Sequence, residues 1–432
     1  MIPEIETKSI EEIKTFQEIK LKEMLQYIST NSSFYKRLFK EHQIAISDIE
    51  SLEDLTKIPT TTKEDLQKFN DDFICVSKDK IIDYSTTSGS LGDPVTFALT
   101  DTDLNRLAYN EAISFASAGV HKEDIIQLMT TMDRRFMAGL AYFLGARQLG
   151  AGIVRVGAGA PELQWDSILK FKPSFLIAVP SQLIKLMEFA KANQIQFESI
   201  GIKGIICIGE PIRNQDFSLN TLGETITKEW NIGLFSTYAS TEMSTAFTEC
   251  EAKQGGHHHP ELIIVEILDE QKRPVKTGDI GELTITTLGM EAMPLLRFQT
   301  GDMVCAHHST CSCGRNTLRL GPVMGRKQQM IKYKGTTLYP PAISNILSAF
   351  KAIDTYIIEI SSTNVNTDDL LIKIATNSSS EQLIKELQEK FSAKLRVRPT
   401  IEVHSKEDIQ QLQLSGESRK PKLVIDKRQF TF

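Results

Sequence analysis

Two groups of residues in this chain could do chemistry. The first is the segment 84–100, YSTTSGSLGDPVTFALT, where Ser88, Gly89, Ser90 and Gly92 sit among further hydroxylated residues. Glycines allow a tight turn that exposes backbone N–H groups, and hydroxyls add donors. That combination cradles phosphate oxygens. No Gly-Lys-Ser/Thr closes the segment, so it is not a Walker A loop. The plainer alternative is a Ser/Gly turn between two strands. The second group is Cys250, the run His257-His258-His259, and the later pair Cys311 and Cys313. Three thiolates and one imidazole can close a tetrahedral zinc site of the structural type. Otherwise the cysteines are free thiols in a loop beside solvated histidines.

The elements that position such groups come from a chain of 432 residues, 41% hydrophobic and 24% charged. That is ordinary globular composition. A single core stops growing at roughly 250–300 residues, so a large domain and at least one smaller one are expected. Lys and Arg total 49 against 55 Asp and Glu, a net charge of −6. Basic residues gather only locally, and no stripe suggests a nucleic-acid partner. The charged N-terminal stretch has no apolar core of a secretory signal. Nothing approaches the ~20 apolar residues of a membrane span. Six cysteines, unevenly placed, are too few for a disulfide framework. These features point to the cytoplasm, with no membrane partner.

Residues 9–45 read as helices, with apolar positions recurring every three or four residues. Thr62 before KEDLQKF reads as a helix cap. The runs GIVRV (152–156), FLIAV (175–179) and IICIGEP (205–211) are short and apolar, and helical periodicity follows them. That alternation predicts parallel strands with covering helices. From about 260, LIIVEIL, GELTITTL and GDMVCA read as antiparallel strands. The last hundred or so residues read as a small α+β lobe: two strands, the amphipathic EQLIKELQEKFSAKLR, and TIEVHS. The boundary is expected at Gly325-Arg326-Lys327, which divides the chain into 1–326 and 327–432.

Further motifs follow the first loop in a fixed order. They are Gly209-Glu210-Pro211, Tyr238-Ala239-Ser240-Thr241-Glu242, Arg297-Phe298-Gln299-Thr300-Gly301-Asp302, Gly325-Arg326-Lys327 and GESRKPKLVIDKR (416–428). Together they resemble the adenylate-forming superfamily of acyl-CoA synthetases, and within it the phenylacetate–CoA ligase branch. The resemblance covers nearly the whole chain. It implies an α/β fold: a large N-terminal domain of parallel sheets, helices and an antiparallel barrel-like part, then a small mobile α+β lid. It also implies a two-step reaction. A carboxylic acid, aryl-acetic or a related aromatic one, attacks ATP to give acyl-AMP and pyrophosphate, and coenzyme A then takes the acyl group. A homodimer is implied in the same way.

By that resemblance Ser88, Gly89, Ser90 and Gly92 hold phosphates, and Thr241 bonds the α-phosphate. Glu242 ligates Mg2+, a hard ion suited to carboxylate oxygen. Tyr238 and Ala239 lie against the adenine, Gly209, Glu210 and Pro211 line its other face, and Asp302 takes the ribose hydroxyls. Arg326 reaches phosphate or ribose. Lys334 and Gly335 line the pantetheine tunnel, and Lys420 neutralises the α-phosphate during adenylation. Cys250, His257, Cys311 and Cys313 hold structural Zn2+, with His258 and His259 open as alternatives for the imidazole. Four features depart from the family, one being Lys327-Gln328-Gln329 at the hinge, where an acidic residue is usual. Leu91 stands where Thr is usual, Asp93 where Lys is usual, and Ala239 where Gly is usual. Two other readings stay open: transfer to a carrier-protein thiol, and a non-catalytic relative that binds nucleotide or acyl ligand.

Overall fold

The computed structural model describes residues 2–87, 94–333, 336–362, 368–376, 380–414 and 422–428. Packing divides the chain into two compact units. One is Met1–Thr300 with Val304–Val323, and the other is Gly301–Met303 with Met324–Phe432.

In the first unit the helices are α1 (Ile10–Asn31), α2 (Ser33–Glu41), α3 (Lys63–Lys68), α4 (Asp101–Ser117), α5 (Met137–Leu149), α6 (Pro161–Phe171), α7 (Pro180–Ala192) and α8 (Thr221–Glu229). The early strands are β1 (Asp83–Thr86), β2 (Thr96–Leu99), β3 (Ile125–Leu128), β4 (Gly152–Arg155), β5 (Phe175–Ala178) and β6 (Gly204–Cys207). The later ones are β7 (Gly233–Ser240), β8 (Thr245–Glu249), β9 (Gly256–His257), β10 (Ile263–Leu268), β11 (Ile280–Thr287), β12 (Phe298–His307) and β13 (Arg319–Leu320). Local chemistry accounts for the starts: Ser9, Thr62 and Thr100 each close a capping box, on Glu12, Asp65 and Asp103.

One sheet runs in the order β10-β11-β12-β13-β9-β8-β7-β6-β5-β3-β4. Strands β3 to β6 pair in parallel, and β5 and β6 are buried along their whole length, in keeping with their unbroken apolar runs. Strand β7 is the change of type. It is parallel to β6 and antiparallel to β8, so the parallel half passes into the antiparallel half. β1 and β2 form a separate hairpin. No helix among the described residues is long and apolar enough to cross a membrane.

The second unit adds β14 (Gly325–Arg326), β15 (Ile331–Tyr333), β16 (Thr336–Leu338), α9 (Pro340–Leu347), β17 (Ile353–Ser362), β18 (Asp368–Thr376), α10 (Ser380–Leu395), β19 (Thr400–His404), α11 (Lys406–Gln413) and β20 (Val424–Asp426). Its sheet has the order β19-β18-β17-β20, with β17 and β18 antiparallel and the outer pairs parallel. Leu383, Leu387 and Phe391 of α10 pack into this unit's core, together with Ile358, Ile360, Ile372 and Ile374.

Helix α4 carries an unusual buried polar face. Gly145 of α5 permits close approach, because a Cβ there would lie 2.3 Å from the Cβ of Glu111. Burial pushes the Glu111 carboxyl up to about 8, opposed only by a hydrogen bond with Asn110. An unfolded chain therefore releases this proton first as pH rises. The stability contributed by the protonated carboxyl is complete below the ordinary carboxyl value and is lost between that value and about 8. Glu111→Gln is expected to match the wild type in urea unfolding near pH 4.5. At pH 8 it should be more stable by roughly 1–3 kcal/mol. Equal stabilities at both pH values would refute the assignment.

Candidate active site and metal centre

The segment Tyr238–Glu242 spans the end of β7 and the turn that follows it. The register Tyr238↔Phe247 and Ser240↔Thr245 leaves Thr241–Ser244 as the connection to β8. That turn is tight. The Ser244 amide donates to the Ser240 carbonyl at 3.2 Å, and Ser244 Oγ donates to the Thr241 carbonyl at 3.1 Å. Ser244 takes a φ of 46°, a left-handed conformation that needs support from its surroundings. Thr241 and Glu242 are half-exposed at the tip, while Met243 and Ser244 are buried beneath them. Tyr238 is half-buried and stacks on Phe247, ring centroids 6.1 Å apart, and Ala239 is exposed.

Arg106 holds this turn from below. Its guanidinium donates to the carbonyls of Leu288 at 2.7 Å, Ser244 at 2.7 Å and Leu262 at 2.6 Å, and to Thr245 Oγ1 at 3.1 Å. Burial lowers the guanidinium to about 10, so it stays charged at neutral pH. A buried charge is tolerated when hydrogen bonds replace its water.

Gly209, Glu210 and Pro211 follow β6, and the pair Cys207↔Ser236 sets this loop beside the end of β7. Gly209 has a φ of 74°, where a side chain would be strained. Glu210 acts as a clamp. Its two oxygens accept from the Ser181 amide at 2.9 Å and the Ser181 hydroxyl at 2.8 Å, at the N-terminus of α7. Behind the loop, Arg213 Nε meets Glu249 Oε1 at 2.5 Å, and Glu249 Oε2 accepts from the Ser236 amide at 2.9 Å. Both ion-pair members are buried. The left-handed glycine loop follows the carboxyl end of β6, where open α/β sheets take their ligands, and the neighbouring β7 runs on to carry a hydroxyl and a carboxylate in the turn beyond it.

Asp302 and Arg326 belong to the second unit, as partners across β12 and β14. Arg326 Nε lies 2.7 Å from Asp302 Oδ1, so each is engaged with the other. Ser88, Gly89, Ser90, Leu91, Gly92 and Asp93 lie outside the described residues, as do Lys334, Gly335 and Lys420. On either side of the first gap the β1–β2 hairpin closes through the Thr87 amide on the Val95 carbonyl and the Val95 amide on Thr87 Oγ1, both 3.0 Å.

The cysteines and one histidine converge. Donor atoms of Cys250, His257, Cys311 and Cys313 all lie within 4.8 Å of one another. Cys250 Sγ is 3.6 Å from Cys311 Sγ, and His257 Nε2 is 3.3 Å from Cys250 Sγ and 3.5 Å from Cys313 Sγ. A tetrahedron with Zn–S of ~2.3 Å and Zn–N of ~2.0 Å has edges of roughly 3.5–3.8 Å, close to those separations. Strand β9 makes the placement, pairing His257 with Thr248 and with Arg319. Gly256 is required beside it, since a Cβ there would lie 2.3 Å from the Phe247 carbonyl oxygen.

The histidine run is now resolved. His258 turns its Nε2 to the Ile263 carbonyl at 2.5 Å, and His259 Nδ1 faces Glu6 at 2.5 Å, which leaves His257 for the cysteines. Burial lowers the His257 imidazole below its ordinary value, toward the neutral form a metal needs. For Cys313, burial raises the thiol, but hydrogen bonds with His257 and Arg315 outweigh it and set it at about 5. Arg315 Nη1 approaches Cys313 Sγ at 3.4 Å.

Arg106, Arg213, Glu249 and Arg315 were not among the residues singled out from sequence. Apart from Cys313 near Arg315 and Phe217 near Arg213, their partners lie far away along the chain, and no spacing links them. The only local sign is a set of polar residues interrupting apolar stretches.

The comparisons agree with this architecture. The family described as AMP-binding enzyme matches residues 26–292, and the AMP-binding enzyme C-terminal domain matches residues 335–428. A phenylacetate-coenzyme A ligase of Thermus thermophilus is 31% identical over 359 residues, 81% of this chain and 78% of that protein. One of Escherichia coli K12 is 26% identical over 404 residues, 91% of this chain and 89% of that protein. In fold, a crystal structure of 2-hydroxyisobutyryl-CoA ligase with an acyl-AMP superposes with a TM-score of 0.84 at 23% identity, covering 98% of this chain and 92% of that one. The chain belongs to the AMP-binding enzyme family.

Proposed function

We propose that this protein is an ATP-dependent carboxylic acid–coenzyme A ligase that works through an acyl-adenylate, with an aryl-acetic or related aromatic acid as substrate. The observation that carries the proposal is local. A member of this family holds Thr241 and Glu242 at the hairpin tip that follows β7, and a left-handed loop at Gly209 after the neighbouring parallel strand β6. Relatives named phenylacetate-coenzyme A ligases support the acid and the thiol.

In this reading the acid's carboxylate attacks the α-phosphorus and pyrophosphate leaves. The thiol sulfur then attacks the acyl carbon and AMP leaves. Thr241 Oγ1 donates to the α-phosphate, Tyr238 and Ala239 cover one adenine face, and Gly209–Pro211 cover the other. Glu242 fits Mg2+, an ion that keeps most of its waters and takes one or two carboxylates besides phosphate. When bound, the ion neutralises phosphate charge. Asp302 receives the ribose hydroxyls, and its partner Arg326 swings to phosphate or ribose. Ser88, Gly89, Ser90 and Gly92 cradle phosphates, Lys334 and Gly335 line the thiol's path, and the lid begins at 327. Zn2+ fits the Cys250–His257–Cys311–Cys313 cluster by donor type and separation. With no position left for substrate, its role is structural.

The test is ATP–pyrophosphate exchange across aryl-acetic, benzoic and alkyl acids. An aryl acid is expected to raise exchange about tenfold or more over the acid-free rate. The absence of exchange with every acid, despite measurable ATP binding, would favour the non-catalytic relative. Acyl release to a carrier protein but not to free coenzyme A would move the acceptor.

A further inference from the structure

Next to the cysteine cluster lies a second set of metal-type donors that the proposed reaction does not use. Glu6, His259 and Glu261 each offer a ligand atom, and these atoms all lie within 4.8 Å of one another. Glu6 and His259 are completely buried, at 0% exposure. Most of their polar atoms are committed. His259 Nδ1 lies 2.5 Å from Glu6 Oε1, Arg315 Nε donates to Glu6 Oε2 at 2.5 Å, and the Tyr109 hydroxyl donates to Glu261 Oε1 at 2.9 Å. Two atoms are not: His259 Nε2 and Glu261 Oε2 are buried with no hydrogen-bond partner.

The tautomer follows from the neighbour. A carboxylate against Nδ1 keeps the proton there and leaves a lone pair on Nε2. Burial holds the Glu261 carboxyl above its ordinary value, so a bound cation would take the place of its proton; once ionised, the two unbonded atoms are both acceptors and neither satisfies the other. Each such buried acceptor left unpaired is unfavourable. A water could donate to both, so charge has to decide. The carboxylates of Glu6 and Glu261 outnumber the Arg315 guanidinium between them. Water leaves that surplus negative charge buried, whereas a divalent cation neutralises it.

We propose a second divalent-cation site in which His259 Nε2 and Glu261 Oε2 are ligands and Glu6 is the carboxylate that orients the imidazole. This arrangement repeats the carboxylate–histidine–metal pattern of known centres. Imidazole and carboxylate donors, with water completing the shell, suit zinc, cobalt or manganese. The ion ties together three segments distant in sequence: the N-terminal turn Glu4–Thr7, helix α4 through Tyr109, and the stretch between β9 and β10. The N-terminal turn is already fastened at this place. The Asn316 amide donates to the Glu6 carbonyl at 2.8 Å, and Asn316 Nδ2 donates to the Thr7 carbonyl at 3.0 Å.

Equilibrium dialysis of the full chain against Zn2+, and in parallel against Co2+, tests the proposal. Wild type is expected to bind two equivalents, one at the cysteines and one here. Glu261→Gln keeps the residue's size and its Tyr109 contact but loses the charge, and is expected to weaken the second equivalent about tenfold or more. In the cobalt form the thiolate-to-metal absorption should be equal in wild type and variant. Equality shows that the variant is folded and that the lost ion is not the one at the cysteines. Saturation of wild type at one equivalent overturns the proposal. So does a variant that binds the second equivalent as tightly as wild type.

Discussion

Lys420→Ala is expected to lower acid-dependent ATP–pyrophosphate exchange by about 10²-fold or more, while thioester formation from a prepared acyl-adenylate and coenzyme A stays within about threefold. The asymmetry comes from where charge develops. In the first step, attack at the α-phosphorus builds negative charge on phosphate oxygens, and a mobile ammonium is the direct way to neutralise it. In the second step the attack is at an acyl carbon, and the charge that leaves with AMP rests on an ordinary phosphate monoester, a good leaving group that depends far less on a mobile ammonium. A loss of 10²-fold corresponds to about 2.7 kcal/mol of barrier, within reach of one charge-assisted contact. The neighbour Lys422 supplies the control. Its amide donates to the Gln413 carbonyl at 2.9 Å, just ahead of β20, which pairs with β17 at Ile358↔Val424. Lys422→Ala is expected to cost less than about threefold in exchange. If Lys422→Ala and not Lys420→Ala abolishes exchange, the assignment moves two residues. If both half-reactions fall equally with Lys420→Ala, the charge-delivery reading fails.

Cys311→Ser is expected to remove one equivalent of zinc per chain and to lower the melting temperature by roughly 5–10 °C. Cys311 is buried at 5% exposure with its Sγ 3.6 Å from Cys250 Sγ, so losing its thiolate opens the cluster. The consequence extends beyond the loop. Cys250 directly follows β8, and its neighbour Glu249 carries the buried ion pair to Arg213, behind the Gly209–Pro211 loop. Loosening the cluster therefore loosens the strand that also carries the Thr241–Glu242 hairpin. Cys305→Ser is the matched control. Cys305 Sγ donates to the Gly278 carbonyl at 3.1 Å, away from the cluster, and its loss should leave zinc at the wild-type level. Elemental analysis and thermal unfolding decide the matter. Full zinc retention in Cys311→Ser would remove that residue from the ligand set.

Local signals in the sequence determined more than half of this picture. Thr62 caps α3 because a hydroxyl and Asp65 satisfy each other's backbone three residues apart. Short apolar runs became β5 and β6 because a strand covered on both faces shows no alternation, while the run at 152–156 became the partly exposed edge strand β4. The order of motifs from Tyr238–Glu242 to the lysine-rich tail identified the family, and donor types picked out Cys250, Cys311 and Cys313. What the sequence left open was decided by packing. Three adjacent histidines have the same chemistry, and only the pairing of β9 with β8 and β13 turns His257 toward the cysteines. The Asp302–Arg326 pair arises from a cross-strand register that no local spacing encodes. Arg106 serves four partners more than a hundred residues away, and Glu6 meets His259 and Arg315 across more than two hundred and fifty. Such contacts leave no periodic trace in the sequence. A buried charge has to find donors and acceptors wherever the folded chain places them, and their separation along the chain carries no information about that.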